Sequence, residues 1–102
     1  MMQTKIANLI NDLNPNMAQN KRNLAIKTIS GYWDAVGEEI TKMVANKHKR
    51  PQTTQNYYGS YLELLGFLRE CKVSLEISGI ILILAGANIE GVKSAIKITK
   101  GI

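Results

Sequence analysis

VSLEISGIILILAGA, residues 73–87, is the stretch whose reading decides the fold. Its first half alternates: Val73, Leu75 and Ile77 are apolar, while Ser74, Glu76 and Ser78 are polar. That is the period of a strand. Its second half, Ile80 to Leu84, is an unbroken apolar run rich in β-branched residues. Such a run fits a buried strand or a buried helix, and periodicity alone does not separate them. Read as a strand, the segment gives an α+β domain with strands within 72–85 and 95–102. Read as a helix, it gives an all-α bundle.

The flanking residues favour the helix. Ser74 offers a side-chain oxygen to cap a helix N-terminus. Glu76 then sits in the first turn, where the helix dipole favours a carboxylate. Ala85, Gly86 and Ala87 supply a turn at the far end, and Asn88 supplies a fresh cap. The expectation is a compact all-α bundle of four to five helices forming one domain over residues 1–102.

Working outward, Asn88 opens a last helix to about Thr99. Ile89, Val92, Ala95 and Ile96 face inward, and Lys93, Lys97 and Lys100 lie on the opposite face. Upstream, Tyr58, Tyr61, Leu62, Leu65 and Leu68 form an i, i+3, i+4 stripe that Leu64 and Phe67 widen. Thr54 caps that helix, after a polar loop from Pro51 to Gln55. Before the loop, Met17, Leu24, Ile29, Tyr32, Trp33, Val36, Ile40, Met43 and Val44 mark one long helix ending near Lys47. Asn14 caps it with Pro15 at its first position, and Ser30-Gly31 is the place for a kink or a split. The first helix runs from Thr4, as its cap, to Leu13. It carries Ile6, Leu9, Ile10 and Leu13, and Asn14-Pro15 stops it.

Composition bounds the function. The chain has 102 residues, the size of one domain, and its 45% hydrophobic and 21% charged residues are ordinary for a globular protein. Cys71 is the only cysteine. It forms no intrachain disulfide and no thiolate cage, and it suits a reducing compartment. The start, Met1 to Lys5, has no basic stretch followed by an apolar run, so no signal peptide is expected and a cytoplasmic location is. The run Ile77 to Ala87 is too short for a bilayer, which takes about 20 residues, so no membrane partner is expected.

Catalytic chemistry finds little support. His48 is the only histidine and lies within Lys47-His48-Lys49-Arg50, so a general base beside a nucleophile is not evident. No zinc spacing occurs. Asp34 and Glu38 share a helical face, but Glu38 is also placed for an ordinary surface pair with Lys42. The glycines make no phosphate-binding loop. The expectation is a non-enzymatic protein with no cofactor and no metal.

Charge points to binding. Thirteen Lys and Arg stand against eight Asp and Glu, a formal net charge of +5. One basic cluster is Lys42, Lys47, Lys49 and Arg50, with Tyr57 and Tyr58 nearby to stack on unpaired bases. The other is Lys93, Lys97 and Lys100. Together they suit phosphate contacts without sequence readout, within a nucleoprotein assembly. Ser78 to Lys97 has a faint helix-turn-helix pattern, except that Ile80, Ile83 and Leu84 fall where such motifs are solvent-exposed. The alternative is a protein-interaction module, such as a small inhibitor, an immunity-type protein or a phage-encoded adaptor. It would dock an apolar helix face on one larger protein, and a second copy of the chain would also cover the apolar excess of Leu64, Phe67 and Ile80 to Leu84.

Overall fold

The computed structural model describes the backbone of residues 2–48 and 54–101, with side chains over 3–47 and 60–101. Among the described residues there are five α-helices and no strand: α1 (Met2–Leu13), α2 (Gln19–His48), α3 (Thr54–Glu70), α4 (Leu75–Leu84) and α5 (Ile89–Lys100). The all-α reading holds, and the strand alternative for 72–85 does not.

The deciding stretch becomes α4 for the reasons its ends suggest. Ser74 is extended (φ −64°, ψ 158°) and its hydroxyl accepts from the Ile77 N–H, at a long 3.4 Å. Glu76 lies in the first turn. Every residue from Ser78 to Ala85 is buried. The other four helices all pack against α4, which makes it the axis of the bundle. This explains the missing periodicity: a helix covered on all sides has no polar face to display. Ser78, the buried polar residue on it, donates its hydroxyl to the Ser74 carbonyl at 2.8 Å.

The turn into α5 places Gly86 at φ +106°, a conformation glycine adopts without a Cβ penalty. Asn88 then caps α5, its Oδ1 accepting from the Gly91 N–H at 2.9 Å. The Asn88 N–H donates to the Tyr61 hydroxyl at 2.8 Å, which ties the start of α5 to the fully buried tyrosine of α3. Val92 and Ala95 are buried as expected and Ile96 packs at the edge of the core, but Ile89 is more than a third exposed. Ile89 stands in the first turn of α5, off the face that Gly91, Val92 and Ala95 bury.

The α3–α4 corner has no glycine. Lys72 takes the left-handed conformation there (φ 68°), and the Val73 N–H reaches back to the Leu68 carbonyl at 3.1 Å. On α3, Tyr61, Leu64, Leu65 and Leu68 are buried, whereas Phe67 is 46% exposed. The helix is therefore less enclosed than its apolar count suggests.

Three sequence expectations at the first two helices are corrected. Thr4 is not a cap: the helix already includes Met2, and Thr4 stands in its first turn. Asn14 does not cap α2 and Pro15 is not its first residue, because α2 begins at Gln19. Residues 14–18 form a turn, with the Met17 N–H on the Asn14 carbonyl at 3.2 Å. Arg22 holds that turn open. Its Nε donates to the Met17 carbonyl at 2.8 Å, one terminal nitrogen to the Pro15 carbonyl at 2.6 Å, and the other to the Asn11 side chain. The guanidinium's fork thus takes carbonyls that an earlier helix start would have used internally. Finally, α2 runs unbroken through Ser30-Gly31, although the Ser30 hydroxyl is buried without a partner. Its stripe passes through Ala25, Ile29, Ile40 and Val44. Leu24, one residue off that stripe, is 66% exposed.

Ile80, Ile83 and Leu84 are all buried within this one chain. Of the apolar excess read from the sequence, Leu64 and the run Ile80 to Leu84 are covered by the chain's own helices, whereas Phe67 stays exposed.

Candidate nucleic-acid interface

α5 builds the site. Lys93, Lys97 and Lys100 follow one another at four and three residues, so they share one helical face. All three are exposed. Ile96 lies among them, half-buried against the core. The C-terminal end of α1 brings Leu13 alongside, and the first turn of α4 brings Glu76. These six residues line a groove of about 280 Å³ with an aliphatic floor and an ammonium rim.

Each lysine stands differently. Lys100 Nζ is 3.2 Å from Glu76 Oε1, an ion pair that joins the end of α5 to the start of α4. Lys93 Nζ is 3.8 Å from Glu90 Oε1, one turn back on the same helix. Lys97 has no carboxylate within ion-pair distance among the described residues. Lys97 and Lys100 also sit in the last turn of α5, where the unsatisfied carbonyls favour cations. The Glu76 carboxyl is held below the usual glutamate value. The hydrogen bond from its own backbone N–H is the main cause and Lys100 adds to it, while partial burial works the other way.

A second hollow of about 560 Å³ opens on the other side of Glu76. Asn14, Asn16, Lys21, Ser74 and Ile77 line it with Glu76 itself. Glu76 is common to the lining of both depressions. Lys21 is exposed at the far wall.

The first basic cluster is placed apart. Lys42 and Lys47 lie on the C-terminal half of α2, which makes no substantial packing contact with α5. Lys47 is paired with Glu63 of α3 across the helix interface. That carboxylate is remote in sequence, so the run without acidic residues between Glu39 and Glu63 does not leave Lys47 alone. Lys42 is exposed, and the expected ion pair with Glu38 is not formed. Lys49 and Arg50 lie outside the described residues, as do the side chains of His48, Tyr57 and Tyr58 and the loop from Pro51 to Thr53.

Asp34 and Glu38 are both exposed on α2. Among the described residues no group of three or more His, Cys, Asp or Glu is arranged to hold a metal ion, and no helix is long and apolar enough to cross a membrane. Cys71 is exposed at the end of α3 beside Tyr32. Burial raises the Tyr32 phenol above its ordinary value, and the neighbouring thiol raises it further.

Sequence reasoning found the lysine stripe and missed the groove. Leu13 and Glu76 were visible as a helix-end apolar residue and a first-turn acid. Nothing in the linear pattern says that these two meet residues 93–100. Comparison with protein-family models, with curated proteins and with solved structures finds no match.

Proposed function

We propose that this protein is a non-enzymatic module that contacts nucleic-acid phosphates through α5, without sequence readout, as a small basic subunit of a nucleoprotein assembly. The observation that carries the reading is the exposed stripe of Lys93, Lys97 and Lys100 on one face of a short helix. Lys97 has no compensating carboxylate among the described residues, and the whole chain carries a formal net charge of +5. Ammonium groups on flexible stems suit phosphate oxygens as point charges, and the counterions they displace supply the affinity. Lys42, Lys49 and Arg50 would add a second contact on a long strand.

The protein-docking alternative has less support than the sequence alone gave it. Its main argument was the apolar run from Ile80 to Leu84, and that run is core. Among the described residues the exposed large apolar ones, Leu24, Phe67, Ile89 and Ile98, are divided among α2, α3 and α5.

Fluorescence anisotropy with labelled oligonucleotides over a salt series tests the proposal. Binding should weaken steeply with salt. Replacing Lys93, Lys97 and Lys100 together by Gln should lower the slope of log K against log salt by about 2–3, at roughly 0.7–0.9 per phosphate contact. Absence of binding at low salt rejects it.

A further inference from the structure

A basic face made only for phosphates gains nothing from a carboxylate in its lining. Glu76 stands there, between the two hollows and within 3.2 Å of Lys100. An ionised carboxylate repels a phosphate, but it is an acceptor with about four lone-pair positions. Its own backbone N–H and Lys100 occupy two of them, and the residue lines both the groove and the hollow beside it. Below the ammonium rim the floor is aliphatic, from Leu13 and Ile96. The groove's 280 Å³ lies just under the roughly 300–1,000 Å³ of sites for drug-sized ligands. An apolar floor, one strong acceptor and a cationic rim together match a flat ring with hydrogen-bond donors at its edge and a phosphate on its flank.

We propose that the Leu13–Glu76–Ile96 groove seats one unpaired nucleobase carrying an exocyclic amine, so that the protein prefers single strands over duplex and cytosine over thymine. This rests on the nucleic-acid reading above and adds to it the chemistry of one base. A duplex keeps its bases stacked and cannot lay the face of one on the groove's aliphatic residues. In a single strand the base can turn out, lie on Leu13 and Ile96, and donate its amino hydrogen to Glu76. Cytosine carries an amino donor where thymine carries a carbonyl acceptor. Thymine therefore sets oxygen against the carboxylate and loses the bond. Lys97 and Lys93 hold the phosphate on the groove side, and Lys21, across the adjoining hollow, reaches the neighbouring one.

The test measures the whole protein's affinity for labelled oligo-dC, oligo-dT of equal length and a mixed-sequence duplex. It is run at one salt concentration and at slightly alkaline pH, where cytosine is unprotonated. Oligo-dC should bind about ten- to a hundredfold more tightly than oligo-dT, the equivalent of one hydrogen bond to a charged group, and both should exceed the duplex. Glu76→Gln should bring the dC-to-dT ratio close to one, with circular dichroism reporting an unchanged helix content. Lys21→Gln should weaken both single strands alike and leave the ratio in place. Equal affinity for dC and dT, or a ratio that Glu76→Gln does not move, overturns the base pocket while leaving phosphate binding standing. Absence of salt-sensitive binding to all three ligands overturns both.

Discussion

Gly91 shows how tightly one residue can constrain two helices. A Cβ added there would lie 2.6 Å from Tyr61 Cε2 and 3.1 Å from Tyr61 Cδ2. Tyr61 is fully buried and its hydroxyl accepts the Asn88 N–H, so the ring is held at both ends and cannot swing away. Gly91→Ala gains helix propensity by about 1 kcal/mol but overpacks the α3–α5 contact by about 1–3 kcal/mol. The expected outcome is a net loss of up to about 2 kcal/mol in urea unfolding. A stabilised variant would show that the ring moves freely. Gly79 makes a useful contrast: its nearest neighbour is the flexible end of Ile96, at 2.6 Å from an added Cβ.

At the scale of the element, Glu76 is held first by its own backbone N–H at the start of α4 and then by Lys100 at the end of α5, so stability is linked to pH. The folded Glu76 carboxyl titrates below its ordinary value. A depressed carboxyl contributes stability that is fully present above the unfolded-state pKa and is lost as the pH falls through the folded one. The urea midpoint should therefore drop on acidification through and below the usual glutamate range, and Glu76→Gln should lack that component of the drop. Parallel midpoint-against-pH curves for the two proteins would reject the link.

Much at this scale was legible in the sequence. Ser74, Glu76, Gly86 and Asn88 announced the bounds of α4 and the start of α5, because capping is a local chemistry written within four residues. The start of α2 was not legible. Asn14-Pro15 has the form of a helix start, but Arg22 competes for the carbonyls of Pro15 and Met17 from a full helical turn inside α2. The exposure of Leu24 and Phe67 was likewise hidden, since an apolar residue beside a stripe reads as part of it. The lysine stripe of the site was local and was read; the groove joins residues from three helices and was not.

For the whole molecule the position of α4 sets where stability resides. Each buried Ile or Leu on it contributes about 1.5–3 kcal/mol by leaving water. Ile81 is fully buried, so Ile81→Ala should cost about 2–5 kcal/mol, a large share of the 5–15 kcal/mol that holds such a domain together. Leu24→Gln on exposed α2 should change stability by less than about 0.5 kcal/mol. Native-state hydrogen exchange should show the amides of Ile81 to Leu84 opening only with the whole molecule. Exchange there as fast as at the exposed end of α5 would mean that α4 is not the common core.

The helix around which the bundle closes also has a place in time. A ribosome makes α1, α2 and α3 before it reaches Leu75. When synthesis has passed Lys72, Ile6, Ile10, Ile29, Val44, Leu65 and Leu68 have been made, and the helix at the centre of their cluster has not. Until α4 emerges these faces lack the helix that lies between them, and the face of α3 is covered only when α5 has followed.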